Sequence, residues 1–197
     1  MELVLRLDTS LDVLKGQYSI LTLKDFDGEF SRAYSIVEAN KNVLTFGIKL
    51  NDTGRGGRAL KNIKIGDIIK VKGVYGEFLL KQTTNQKVFI ATGTGLSPIM
   101  NMLSEPLASK NNYLFFGAQT EKDLFYLDKL QNVDDLSVNI YISRENTEKY
   151  NNGRIDLSKF VFDKDAEFYI CGNPGVVNST KDYLKNAGYT NVFVEKY

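Results

Sequence analysis

The sequence predicts two domains, an antiparallel β-barrel over residues 1–83 followed by an α/β domain over 84–197 built on a parallel five-stranded sheet. Three observations predict it. Up to about residue 81 the chain reads as short alternating runs separated by turn clusters such as "DFDG", "EANKN" and "KIGD", the spacing of an antiparallel barrel. After the polar stretch "KQTTNQK" the rhythm changes to apolar strands divided by helical segments, the pattern of a parallel sheet. Finally, every strand of the second half but the last is followed by a turn rich in glycine or polar residues.

Taken in order, the barrel strands are "LVLRL", "QYSILTL", "RAYSIV", "VLTFGIKL", "DIIKVKGV" and "FLLK". Those of the second half are "VFIA", "YLFFG", "VNIYIS", "EFYIC" and "VFVE". Between them, Leu96, Ile99, Met100 and Leu103 fall at i, i+3, i+4 and i+7, and Leu124, Leu127 and Leu130 repeat similarly, so each segment predicts a helix with one buried stripe. "NPGVVNSTKDYLKNAG" opens with proline and stops at Gly188, which fits helix start and stop preferences. The chain shows no internal repeat and no low-complexity tract.

With 43% hydrophobic and 25% charged residues, the chain can bury a sizeable core. No apolar run approaches the ~20 residues of a membrane span, and a strand begins within two residues of Met1, so a cytoplasmic protein without leader or membrane contact is expected. Net charge of +1 argues against a nucleic-acid partner. There is no histidine and a single cysteine, Cys171. A Ser/His/Asp triad, an ordinary tetrahedral zinc site and an all-cysteine iron–sulfur site within the chain are thereby excluded. No metal site is expected, although an oxygen-ligand cation site stays open. Any redox or group-transfer chemistry falls to an organic cofactor.

The turns that follow the second-half strands are "ATGTG", "GAQ", "SREN" and "CGNPG", all at carboxyl ends. In an open parallel sheet that edge is where ligands bind. Within "ATGTGLSP", Gly93 and Gly95 let backbone approach a pyrophosphate while the following helix turns its positive end there. Pro98 stands where a dehydrogenase fingerprint wants its third glycine, so the segment is a glycine turn entering a helix, and a tight turn with no ligand is an equal reading. Ser143 and Arg144 of "ISREN" offer a hydroxyl and a guanidinium fork suited to a phosphate monoester such as a 2′-phosphate. Tyr150 and Arg154 follow, adding a ring and a second cation; a solvated polar loop is the alternative.

In the first half, Arg32 and Tyr34 of "RAYS" share one face of a strand, a cation beside a ring. Further on, "GRGGRALKNIKIGDIIKVK" sets Arg55, Arg58, Lys61, Lys64, Lys70 and Lys72 against one acid, Asp67. That segment suits a pyrophosphate at its glycines, an acidic partner, or simply solvent.

"RAYS", "ATGTGLSP", "ISREN", "CGNPG" and the terminal "VEKY" occur in the order found in ferredoxin:NADP reductases and flavodoxin reductases, and the chain resembles that family over nearly its whole length. The resemblance implies a flavin-binding barrel domain and an NADP-binding sheet domain. It implies that Arg32 binds the FAD pyrophosphate, with Ala33 beside it, that Tyr34 stacks on the isoalloxazine and that Ser35 hydrogen-bonds near its N5. Ile48 and Lys49 would line the flavin with backbone; Gly57, Arg58 and Ala59 would make the second pyrophosphate contact, where the family often has a serine; Thr94 would reach both cofactors. On the nucleotide side, Thr92, Gly93, Thr94 and Gly95 would take the pyrophosphate and Ser143, Arg144 and Arg154 the 2′-phosphate, with Tyr150 as the adenine ring. Cys171, Gly172, Asn173 and Pro174 would lie beside the nicotinamide, although a small buried hydrophobe is the ordinary reading of Cys171. Glu195 would join Ser35 and Cys171 around the reacting atoms, and Tyr197 would stack on the flavin opposite Tyr34 and move aside for nicotinamide.

The activity so implied is hydride transfer between NADP(H) and FAD and one-electron exchange with a small acidic carrier, ferredoxin or flavodoxin, by a monomer. FAD is expected ahead of FMN, though no evident insertion carries an aromatic for the FAD adenine. "GRGG" also resembles oxygenase reductases. A free-flavin or quinone reductase would share every motif, whereas a non-catalytic flavoprotein would have no use for "CGNPG" and "VEKY".

Overall fold

A computed structural model describes residues 1–50 and 54–196 and divides into two compact units, Met1–Leu80 with Met100–Met102 and Lys81–Ile99 with Leu103–Tyr197. Among the described residues the first holds five antiparallel strands, β1 (Glu2–Arg6), β2 (Tyr18–Asp25), β3 (Gly28–Asn40), β4 (Val43–Gly47) and β5 (Lys70–Tyr75), in the order β1-β4-β3-β2-β5. Alternation drives this pairing, because period-two side chains give each strand one apolar face. Leu21, Leu23, Ile36, Leu44 and Phe46 meet in a common core. The order leaves β1 and β5 as edges, so among the described residues no ladder closes the sheet into the expected barrel.

One expectation for this unit is corrected. "FLLK" is not a strand: it joins no ladder among the described residues, although its Leu80 N–H bonds to the Lys15 carbonyl at 3.1 Å. Phe78 is buried there, and its carbonyl passes so near Gly16 that a β-carbon on the glycine would stand 2.0 Å away. Conversely, "RGGRALK" forms a helix, α1 (Arg55–Lys61), despite two glycines that disfavour one. Burial of Ala59 and Leu60 in the core supplies what propensity lacks.

The second unit carries six parallel strands, β6 (Lys87–Thr92), β7 (Asn112–Ala118), β8 (Leu136–Ile142), β9 (Asn151–Asn152), β10 (Glu167–Gly172) and β11 (Val192–Lys196), in the order β11-β10-β6-β7-β8-β9. Five match the predicted strands, and the sixth, β9, is two residues long and lay beyond any periodicity signal. Three helices join them: α2 (Leu96–Met102), α3 (Leu127–Leu130) and α4 (Pro174–Asn186). The Leu124 repeat yields only the single turn of α3, because Tyr126 takes a left-handed conformation at φ 59° and breaks the helix before it. α4 begins where the asparagine and proline predict: the Asn173 carboxamide oxygen accepts from the Gly175 N–H at 2.9 Å.

Beneath the sheet's amino edge lies a charge pair that burial alone would forbid. Lys87 and Glu167 are 1% and 4% exposed and lie 3.2 Å apart. The Lys87 ammonium donates to the Thr83 carbonyl and hydroxyl and the Asn85 carbonyl, and Glu167 accepts from Thr83 and the Tyr169 hydroxyl. With its protons and lone pairs met, the pair offsets its own desolvation, and it fixes the 83–85 backbone to the sheet.

Candidate functional site

Chain order places a switch point in the second unit. From β6 the chain runs outward through β7, β8 and β9, then returns to lay β10 and β11 on the other side of β6. Parallel sheets bind ligands outside the carboxyl ends at such a reversal, which here lies between β6 and β10.

Two glycine turns meet at that point. After β6, Gly93–Gly95 forms a tight 3-10 turn, and a β-carbon on Gly95 would stand 2.2 Å from the Cys171 carbonyl oxygen at the end of β10. In return, Gly172, at φ 148°, leaves no room for a β-carbon beside the Thr92 hydroxyl. That hydroxyl accepts from the Asn173 N–H at 3.2 Å. "ATGTG" and "CGNPG" are thus one backbone-lined cradle, with Thr92, Gly93 and Thr94 half-buried and Asn173 and Pro174 exposed.

Cys171 and Glu195 are register partners on β10 and β11. Burial, and secondarily the Glu195 charge, push the thiol far above its ordinary range, so it remains an uncharged S–H. Tyr197 lies outside the described residues.

The loop after β8 starts at Ser143, whose N–H and hydroxyl both reach the Ala118 carbonyl at 3.1 Å. Arg144 donates its N–H to Gln119 at 2.9 Å and leaves its side chain exposed, as is that of Arg154. Tyr150 is half-buried, carries the Lys149 ammonium 5.2 Å from its ring centre and lines a groove of about 490 Å³ with Leu127, Val138 and Ile140. Lys149 escaped the sequence reading, though it adjoins Tyr150.

In the first unit β3 carries Phe30, Arg32 and Tyr34 on one face. Gly56 of α1 comes against that face, its missing β-carbon 2.7 Å from the Tyr34 hydroxyl and 3.7 Å from the Arg32 Cγ. "RAYS" and "GRGG" therefore meet. Burial raises the Tyr34 phenol above its usual range, with Arg32 pulling the other way. Ser35 is half-buried opposite Tyr18, and Ala33 is exposed. Arg58 is exposed and Gly57 half-buried, while Ala59 turns its methyl into the core. Ile48 is buried with its N–H and carbonyl both engaged by Met1, at 2.9 and 2.8 Å, and Lys49 is exposed.

Sequence reasoning missed what flanks Arg32. Arg55 makes a two-pronged ion pair with Asp25 at 2.7 and 2.8 Å and lays its guanidinium 4.1 Å from the Phe30 ring centre; Arg32 lies 5.2 Å from the same ring. Phe30 was legible, standing two residues before Arg32. Asp25 and Arg55, 30 residues apart, were not.

Comparison with known proteins agrees with this division. An oxidoreductase FAD-binding domain model matches residues 1–79 and an oxidoreductase NAD-binding domain model residues 89–182. The chain is 26% identical to the anthranilate 1,2-dioxygenase electron transfer component of Acinetobacter baylyi, over 98% of its own length and 62% of that protein's. It is 29% identical to the flavodoxin/ferredoxin–NADP reductase of Buchnera aphidicola, over 87% of its own length and 78% of that protein's. Against the first it spans less than two thirds of the relative, and the same holds for a propane 2-monooxygenase reductase component from Rhodococcus jostii, at 55%. The crystal structure of a ferredoxin NADP+ reductase from Neisseria gonorrhoeae with bound FAD and NADP shares the fold, with a TM-score of 0.89 at 21% identity over 99% of this chain and 91% of that one.

Proposed function

Because the chain belongs to the ferredoxin-reductase-like flavoproteins, with an FAD-binding and an NAD-binding oxidoreductase domain, we propose that it moves a hydride between NADP(H) and FAD and exchanges single electrons with a small acidic carrier, ferredoxin or flavodoxin. The observation that carries this reading is the β6/β10 switch point, where two glycine turns pack closely against each other at the carboxyl ends of the strands, together with the exposed Ser143–Arg144 pair at the end of β8, two strands from β6.

The redox chemistry is supplied by the flavin when bound, which exchanges a hydride with nicotinamide at N5. The residues present fit it: Gly56 keeps the Arg32–Tyr34 face of β3 free of a side chain of its own, so cation and ring are offered together. Arg32 and Arg58 bind the pyrophosphate, Gly57 and Ala59 belong to the turn that carries Arg58, and Tyr34 supplies the stacking ring. Ser35 hydrogen-bonds at the flavin edge, with Ala33, Ile48 and Lys49 around it. On the nucleotide side Thr92, Gly93, Thr94 and Gly95 hold the pyrophosphate against Gly172, Asn173 and Pro174. Ser143, Arg144 and Arg154 take the 2′-phosphate and Tyr150 the adenine. Cys171, kept uncharged, packs beside the nicotinamide with Glu195. What these groups contribute is orientation, and none has to move a proton.

A second reading, the reductase component of an oxygenase, is favoured by the similarity to the dioxygenase electron transfer component over 98% of the chain. Cys171 is the one cysteine, so any iron–sulfur cluster would lie outside these 197 residues.

Anaerobic stopped-flow absorbance of the flavin-reconstituted protein mixed with NADPH or NADH tests the reading. Fast bleaching by NADPH and slow bleaching by NADH is expected; equal rates would remove the NADP assignment, and no bleaching would leave a non-catalytic flavoprotein. Reduction of an acidic carrier that weakens with salt and is lost on charge reversal at Lys61 or Lys64 separates a carrier reductase from a free-flavin or quinone reductase.

A further inference from the structure

We propose that Phe30, with the guanidinium of Arg55 fixed against its ring, is the platform for the adenine of FAD, and that this pair makes the first unit select FAD over FMN. The inference rests on the flavin reading of that unit and adds the residues that discriminate between the two flavins.

The spacing comes first. Phe30, Arg32 and Tyr34 follow at intervals of two on one face of β3, so Phe30 and Tyr34 lie roughly 13 Å apart along the strand. Ring, cation, ring is the order of an extended flat heterocycle, diphosphate and flat heterocycle. A mononucleotide would occupy the Arg32–Tyr34 half and leave the Phe30 half without a ligand.

The second argument is how firmly the outer half is built. Arg55 donates through Nε and Nη2 to the two Asp25 carboxylate oxygens at 2.7 and 2.8 Å and through Nη2 to the Gly28 carbonyl at 3.3 Å. Its guanidinium sits 4.1 Å from the Phe30 ring centre. Side-chain exposure is 31% for Arg55 and 9% for Asp25, so the carboxylate is sunk while the guanidinium keeps a face toward solvent. The contact with Arg55 lowers the Asp25 carboxyl below its usual range and raises the guanidinium further, which keeps the pair charged. A planar cation of fixed orientation, backed by an aromatic ring, stacks with a purine and lies beside the diphosphate that Arg32 would hold.

A plain staple between α1 and the β2–β3 turn would use Asp25 and Arg55 equally well, with Phe30 packing on the core of the first unit. Equilibrium binding of FAD, FMN and ADP to the apoprotein, followed by flavin fluorescence and by calorimetry, therefore decides. The wild-type protein should hold FAD more tightly than FMN and bind ADP in competition with FAD. Phe30→Leu, which keeps apolar packing, should weaken FAD by between about 5-fold and 150-fold, abolish ADP competition and leave FMN affinity unchanged. Arg55→Lys, which keeps the charge but not the planar fork, should move FAD in the same direction. FAD affinity unchanged in a folded Phe30→Leu protein would overturn the inference, as would wild-type protein that binds FMN as tightly as FAD. Failure to bind either flavin would overturn the cofactor reading itself and this inference with it.

Discussion

Gly95 lies so close to the end of β10 that a β-carbon built on it would stand 2.2 Å from the Cys171 carbonyl oxygen and 2.8 Å from the Gly172 nitrogen. Both are backbone atoms within a ladder, so neither can move aside alone. Gly95→Ala should therefore destabilise the second unit by about 1–3 kcal/mol and weaken NADPH binding at the displaced turn. Urea unfolding followed by tryptophan-free tyrosine fluorescence measures the first effect; an unchanged midpoint would show that the turn slides freely.

The exposed guanidinium of Arg144 follows a serine whose backbone and hydroxyl are both tied to Ala118. A charge-assisted pair with a phosphate contributes about 1.5–3 kcal/mol, so Arg144→Ala should raise the NADPH dissociation constant by roughly 10-fold to 150-fold. NADH affinity should not change. A parallel loss for both nucleotides would place Arg144 away from the 2′-phosphate.

Removing one member of the Lys87–Glu167 pair leaves a buried charge unmet, at a cost of about 3–5 kcal/mol. Lys87→Met should therefore lower the unfolding midpoint sharply, and the double variant Lys87→Met/Glu167→Gln should recover much of the loss. Calorimetry of the three proteins closes the cycle, and strictly additive losses would show that the two side chains are not coupled.

Cys171, Tyr34 and Tyr169 are all raised by burial above their ordinary values of 9.0 and 10.0. Each binds its proton more tightly folded than unfolded, so the stability it contributes is complete below those values and falls as pH rises past them. Chemical denaturation midpoints should decline from about pH 9 upward, first through the thiol. The native thiol, 2% exposed, should resist alkylation at pH 8.5 and react once urea unfolds the chain. Rapid labelling of native protein would contradict its burial.

Strands whose faces differ in polarity, or that are apolar throughout, announced themselves in the sequence, as did α2 from its leucine spacing and α4 from Pro174 and Gly188. What remained hidden depends on partners distant in the chain. α1 carries two glycines that argue against a helix, and only the core that receives Ala59 and Leu60 makes one. "FLLK" has the composition of a strand but finds no ladder among the described residues. At the site, "ATGTG" and "CGNPG" were readable as separate turns. Their interlocking was not, because it depends on Thr92 and Gly172 being brought together across the β6–β10 ladder. Arg55 read as one cation in a basic run; its fixed place over Phe30 follows from Asp25, which nothing local links to it.

The loop from Ser143 to Gly153 is fastened by its own backbone and asparagines. Ser143 and Arg144 bond back to Ala118 and Gln119, Gly153 donates to Ile142 at 2.7 Å, and Asn151 reaches the Ile140 carbonyl at 3.0 Å. Asn152 closes the loop's neck, its carboxamide paired with both backbone groups of Thr147 at 2.9 Å. The exposed side chains of Ser143, Arg144 and Arg154 take no part in the fastening beyond the serine hydroxyl. The loop is accordingly an exchangeable cassette: its outward residues can be rewritten while the asparagine clasp keeps the two-residue edge strand β9 on β8, and so short an edge offers little to pair with.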